Sequence, residues 1–262
     1  MSEFFKPQKK HKNKKWIIIS VISLTIVFVI FLLFVVFYSN LFTVKKINVQ
    51  FNGLDLNKSI VLTQIEKNII IKQKFKAFLG PNNILFWLSL PSINVLDINS
   101  YIKSITISAN LFSKNVDIVL NSRKPLGVYC FMNNSCYVFD DEGVLYTLAP
   151  TVYGSLIIKI NDSNSRYVIL GSDVLQNKQW FNNMITIINI LRNNNFNVDN
   201  IVIKNLDLRE WSATLNKHIN VDFGFESNVE NFDQILTGLK SRIDFSKINY
   251  IDFRIENKVF YK

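Results

Sequence analysis

The sequence predicts an α+β protein built from three parts. These are a single N-terminal transmembrane helix, a small module ordered strand, helix, helix, strand, strand, and a mainly antiparallel β domain with helices on one face. Three observations carry that reading. One uncharged apolar run is long enough to cross a bilayer, short segments of period-two alternation recur through the rest of the chain, and amphipathic stretches of period 3.6 interrupt them. With 262 residues, 48% of them apolar and 13% aromatic, the chain can bury a core and is not disordered in bulk.

The apolar run, "IIISVISLTIVFVIFLLFVVF" from Ile17 to Phe37, holds no charge, Pro or Gly. At a rise of about 1.5 Å per residue it spans the roughly 30 Å hydrocarbon core, so residues 17–37 are expected to sit in the lipid bilayer. Trp16 and Tyr38 bracket it where amphipathic aromatics settle, giving an anchor over residues 16–38. A cleaved signal peptide is disfavoured, because the run is too long and no convincing small-residue cleavage site follows. The first fifteen residues carry Lys6, Lys9, Lys10, Lys12, Lys14 and Lys15 against the single Glu3, so residues 1–15 are expected to be a basic cytoplasmic tail. Everything beyond about Ser39 is then expected across the membrane. The formal net charge of +10 is half accounted for by that tail, which leaves 24 basic against 19 acidic residues and no basic stripe interleaved with aromatics. Nucleic acid is therefore not an expected partner.

Behind the anchor, "FTVKKINVQFNG" alternates Val44, Ile47, Val49 and Phe51, a strand closed by a Gly turn. Ser59 is placed to cap a helix whose Leu62, Ile65 and Ile69 share one face. After the loop "GPNNILFW", Pro91 and Ser92 are expected to open a second helix to about Tyr101. "SITISAN" and "NVDIVLN" then form two strands around the turn "FSKN". The module covers residues 43–124 and is too small for a large core of its own.

Pro125 marks the next boundary, since it cannot donate to a sheet and restricts Lys124 before it. From 125 to 262 alternation returns in "LGVYCF", "CYVFDD", "VLYTLA" and "SLIIKI". Cys130 and Cys136 lie in two strands meeting at "MNNS" and form a candidate disulfide if that compartment is oxidising. Their six-residue separation crosses a hairpin only for an odd loop length. "DDEG", Asp140 to Gly143, reads as a hairpin turn. One helix turns Trp180, Met184, Ile187, Ile188 and Leu191 inward, and another turns Val229, Phe232, Ile235, Leu236 and Leu239. Strands are expected around "NIVIKN", "EWSATLN" and "INVDFGF". The final stretch "NYIDFRIENKVFYK" places Ile251, Phe253, Ile255, Val259 and Tyr261 on alternate positions, with Asp252, Arg254, Glu256 and Lys258 between them. It reads as a half-buried strand with a free edge.

Enzyme chemistry is not visible. There is no nucleophile elbow, P-loop, dinucleotide fingerprint or zinc-protease motif, and no set of metal-ligand spacings. His218 is the one histidine outside the tail, and the chain has eight Gly, few for close approach to phosphates. No catalytic residue, metal, cofactor or small-molecule substrate is therefore expected, and the alternative reading is a membrane-anchored enzyme whose acidic catalytic residues are dispersed along the chain.

A basic tail, one signal-anchor helix, "FTVKKINVQFNG", a strand pair running into "SRKP", "YVFDDEGVLY", "REWSATL" before "FGF" and the terminal "IDFRIENKVFYK" follow in that order. Together they resemble the bacterial cell-division family FtsQ, called DivIB in Gram-positives, over essentially the whole chain. The resemblance implies a POTRA domain at residues 43–124 and a β domain at 125–262. It implies no enzymatic activity and a scaffolding role in the divisome. The partners it implies are small bitopic division proteins of the FtsB and FtsL type, with an influence on septal cell-wall synthesis. It further implies a single-pass inner-membrane protein, periplasmic in bulk and concentrated at the septum. The family's Glu-Arg-x-Pro junction is matched by Arg123, Lys124 and Pro125, with Ser122 in place of Glu. The family's terminal strand, matched at Asp252, Phe253 and Arg254, has Ile255 where an aromatic is usual. Partner binding by strand addition is accordingly expected at Tyr250, Ile251, Asp252, Phe253, Arg254, Ile255, Glu256, Lys258, Val259, Phe260 and Tyr261.

Overall fold

The computed structural model describes residues 13–53, 56–132, 135–149, 157–164, 168–255 and 258–262. The tail residues Lys6, Lys9, Lys10 and Lys12, the "MNNS" turn at 133–134 and Glu256 lie outside the described residues. The first helix, α1 (Asn13–Tyr38), contains the 22-residue apolar stretch Trp16–Phe37, none of it buried. It is long and apolar enough to cross a membrane.

Two compact units follow. The first runs to Asn94 and adds residues Ser104–Asn121. Its strands are β1 (Lys46–Asn52), β2 (Ile102–Asn110) and β3 (Asn115–Ser122), in the order β1-β3-β2, with β1 parallel to β3 from Lys46↔Asn115 to Asn52↔Asn121. A parallel pair needs a crossover, and α2 (Lys58–Lys72) and α3 (Lys76–Leu79) supply it. Two details differ from the sequence reading of α2. Its cap is Asn57, whose side-chain oxygen accepts from the Ser59 amide, and its inward face is Val61, Ile65 and Ile69. Leu62, one position round, is half-buried. The expected helix at 91–101 is not formed, and only a single turn, Val95–Asp97, lies there. The Asn99 side chain caps the Tyr101 amide and so competes with the helical backbone. The second helix of this unit is instead α3, pinned by Lys76, which is 2% exposed. Its ammonium donates to the carbonyls of Phe86 (2.9 Å), Leu88 and Ser89.

The second unit comprises residues 95–103 and 122–262. Its strands are β4 (Pro125–Phe131), β5 (Cys136–Asp140), β6 (Leu145–Leu148), β7 (Ile158–Asp162), β8 (Val198–Ile203), β9 (Glu210–Leu215), β10 (Ile219–Gly224), β11 (Tyr250–Asp252) and β12 (Phe260–Tyr261). They lie in one sheet ordered β12-β11-β10-β9-β8-β7-β4-β5-β6. The sheet is mixed, because β4–β7, β7–β8 and β10–β11 are parallel while the other pairs are antiparallel. Two of the parallel pairs close over α4 (Lys178–Asn193) and α5 (Phe232–Lys240). The helices lie side by side on one face, where the Asn194 amide donates to Asp233 at 2.7 Å. Phe181, Met184, Ile187, Ile188 and Leu191 of α4 enter the core at helical spacing. β7 is the stitch of the sheet, being parallel to both neighbours and joining the meander β4-β5-β6 to the meander β8-β9-β10.

Pro125 begins β4, the strand position that tolerates its missing amide. Beside it, buried Arg123 donates to Asp140 at 2.6 Å and to the Ser100 carbonyl at 3.2 Å. The other carboxylate oxygen of Asp140 accepts from the amides of Glu142 and Val144, so "DDEG" is a hairpin turn. Gly143 there adopts the left-handed φ of 77° that the turn requires. Lys124, by contrast, is exposed. Cys130 and Cys136 stand opposite one another in the β4–β5 register and are joined by a disulfide.

Reduction of that bond is expected to destabilise the second unit by about 2 kcal/mol, the loop-closure value for so short a ring. Urea melts with and without reductant measure it. Gly127 makes a second prediction, since a Cβ there would lie 2.4 Å from the Phe139 ring and 2.5 Å from the Ile158 carbonyl. Gly127→Ala is expected to cost about 1–3 kcal/mol, read from the urea midpoint, because backbone as well as side chain must move.

Candidate partner-binding edge

The terminal stretch does not form one continuous strand. β11 stops at Asp252, the chain turns through a loop in which the Lys258 amide reaches the Ile255 carbonyl, and β12 returns antiparallel to β11. The cause is local. Phe253 turns its ring into the core and gives its amide to the Asp222 carbonyl, and the Arg254 guanidinium folds back on Asp252 two residues earlier. The Phe253 amide makes the last bond of the parallel β10–β11 ladder, and the Arg254 amide then turns onto the Asp252 carboxylate at 2.9 Å, an end that alternation alone does not reveal.

This arrangement divides the expected residues. Ile251, Asp252 and Phe253 are buried and support the sheet, whereas Tyr250 and Val259 are half-buried. Arg254, Ile255, Lys258, Phe260 and Tyr261 are exposed, with Ile255, Phe260 and Tyr261 each about half open to solvent, at 52%, 51% and 55%. Lys262 zips β12 to β11, because its amide donates to the Tyr250 carbonyl (3.0 Å) and its carbonyl accepts from Tyr250 (3.2 Å). Hydrogen-bonded pairs alternate along an antiparallel ladder, so the next pair, Ile251↔Tyr261, is not bonded. The backbone amide and carbonyl of Tyr261 therefore face away from β11, along the outer edge of the sheet.

A polar clamp fixes the edge. Arg254 donates to both carboxylate oxygens of Asp252, at 3.0 and 2.6 Å, and to Glu210 at 3.0 Å. The hydrogen bonds from the Arg254 side chain, helped by its amide and its charge, hold the Asp252 carboxyl below the usual carboxylate range. The Tyr250 hydroxyl donates to Asp222 (2.9 Å) and Asp252 (3.2 Å). Burial, helped by the Asp222 hydrogen bond, pushes that phenol up to about 12. Sequence reasoning assigned no role to Glu210 or Asp222. Each sits at an otherwise ordinary polar position of an alternating strand, and only the parallel docking of β11 brings them to Arg254 and Tyr250.

Beside the clamp lies a groove of about 650 Å³ with apolar walls from Phe223, Phe232, Ile235 and Phe253. Its rim carries Arg254, Lys258 and the Arg209–Glu226 pair, joined at 2.9 Å. An edge strand with outward backbone groups is a surface with which the main chain of an extended peptide can pair. No protein-family model and no curated protein matches the chain.

Asp252→Asn is expected to loosen the terminal hairpin by about 1–2 kcal/mol, since one charge-assisted clamp is lost at a partly wet site. Faster hydrogen exchange at the Lys262 amide, which bonds the Tyr250 carbonyl, measures it. Because the folded-state value of Asp252 is depressed, its contribution is complete above the ordinary Asp range, about 4, and is lost as pH falls below it. The Asn variant should lack that acid-dependent loss.

Proposed function

We propose that this chain is a non-enzymatic, single-pass scaffold of the FtsQ/DivIB kind, recruiting small bitopic division proteins of the FtsB/FtsL type and thereby helping regulate septal cell-wall synthesis. The observation that carries the proposal is β12, an edge strand whose Tyr261 amide and carbonyl face outward among exposed Ile255, Phe260 and Tyr261. Arg254, Lys258 and Lys262 discourage unselective pairing at that edge, which leaves room for a partner whose own strand matches it. The first unit's order of strand, two helices and two strands supports a POTRA reading. The disulfide supports a bulk that faces an oxidising compartment, the periplasm, with the lysine tail cytoplasmic. Localisation at the septum belongs to the same proposal.

Photo-cross-linking in cells from Ile255 and Tyr261 is expected to capture a small single-pass membrane protein. Tyr261→Pro removes the outward amide without touching the bonds to β11, and it should abolish the cross-link made from position 255 while the second unit keeps its melting transition. Unchanged capture by a folded Tyr261→Pro chain would overturn strand addition. Deletion of residues 255–262 should have the same effect on binding and leave the first unit folded.

A further inference from the structure

The first unit inverts the usual order of burial at the end nearest α1. Lys76 is 2% exposed, while Phe75 and Phe78, at i and i+3 of the same short segment, are 61% and 80% exposed. Holding the Lys76 ammonium on the carbonyls of Phe86, Leu88 and Ser89 fixes α3 with its phenylalanine face outward. Leu41 is 64% exposed, and Phe112, at the tip of the β2–β3 turn, is 98% exposed. A face that buries a lysine to display phenylalanines is not built for water.

The position of these side chains identifies what covers them. The Asn83 amide donates to the Val36 carbonyl at 2.8 Å, inside the apolar stretch of α1. The Ile84 amide donates to Phe42, and Val44 to Asn82, so the loop following α3 is fastened to the residues that leave the helix. On the other side, the Lys114 ammonium donates to the Asn40 carbonyl at 2.7 Å, which brings the tip bearing Phe112 to the same level. Both apolar projections are thus tied within one or two turns of the point where α1 ends. The charge agrees with a lipid surface. Residues 36–53, 71–94 and 104–116 contain Lys45, Lys46, Lys72, Lys74, Lys76 and Lys114 and not one Asp or Glu. Apolar side chains ringed by lysines are the composition of interfacial anchors on anionic membranes.

We propose that the first unit is seated on the bilayer, with Leu41, Phe75, Phe78 and Phe112 inserted at the interface around α1 and the exposed Lys45, Lys46, Lys72 and Lys74 facing anionic phospholipid headgroups. The proposal rests on α1 crossing the membrane and is independent of the scaffold reading. The effect is to convert a flexible tether into a fixed mount, because a unit held at three points cannot swing freely about residues 39–44.

The test uses the full chain reconstituted in vesicles of phosphatidylglycerol and phosphatidylcholine, with single cysteines introduced by Phe78→Cys, Phe112→Cys or Asn52→Cys. Each is labelled with a polarity-sensitive fluorophore. The native cysteines are in a disulfide and do not compete, and all three sites are exposed, so the core is untouched. Asn52 stands at the far end of β1, about 20 Å from Lys46, and serves as the wet reference. Labels at 78 and 112 are expected to shift to the blue and to be quenched by brominated lipid about twofold or more strongly than the label at 52. The effect should weaken in phosphatidylcholine alone. Labels at 78 and 112 as wet as that at 52, in chain that resists alkaline extraction, would overturn the proposal and leave the anchor intact. Chain that is extracted by alkali overturns both, and labels that dry only when a second protein is added assign the face to a protein partner instead.

Discussion

The terminal edge depends on a column of three aromatic rings. Trp211 of β9 stacks on Phe223 of β10 at 4.4 Å, Phe223 stacks on Phe253 at 5.4 Å, and Phe232 of α5 stands edge-on to the last two. β11 has three residues and β12 two, too few ladder bonds to persist alone. The column therefore carries them, and with them the Arg254 clamp and the outward face of Tyr261. One cost is visible, since the Trp211 indole N–H is buried without an acceptor among the described residues. That costs about 1–3 kcal/mol, whereas burying a ring of roughly 150–250 Å² returns about 4–6 kcal/mol at 25 cal/mol per Å², so burial wins.

Much of the fold was legible because local pattern and tertiary role agree. α1 needs no periodicity to be read, α4 sends five apolar residues inward at helical spacing, and β9 and β10 alternate without a lapse. The failures occur where distant groups decide. A helix centred on a lysine is unreadable when the carbonyls that receive Lys76 lie ten to thirteen residues on. The direction of strand pairing is not written in alternation at all, so a sheet expected to be mainly antiparallel has three parallel joints. At the candidate edge, the alternation places Ile251 and Phe253 inward as expected, but Ile255 is exposed and Asp252 is buried. The break after Asp252 was hidden because it arises from the Asp252 carboxylate capturing the Arg254 amide and guanidinium, with Glu210, far away in sequence, holding the guanidinium in place.

The abundance of asparagine, to which the sequence reading attached no function, acquires a structural use. With eight Gly and five Pro, the chain has few dedicated turn residues. Asn57, Asn83 and Asn177 cap helical turns, while Asn110, Asn205 and Asn228 close loops onto amides two residues ahead. Asn195, Asn200 and Asn216 occupy the left-handed region that otherwise favours glycine. One amide side chain thus substitutes for both kinds of punctuation, and it holds the hinges of the alternating strands in place.

The stitch formed by β7 has a kinetic meaning. The two meanders on either side close between residues near in sequence and can form early. β7 must meet β4 across residues 132–157 and β8 across residues 163–197. Contacts of such separation pay their loop entropy before any reward, so joining the halves is the slow event of folding. Until it happens, each half shows an unpaired strand to its neighbours. A helix as long and apolar as α1, were it to hold chains dispersed over a membrane surface, would give each chain time to complete that step alone.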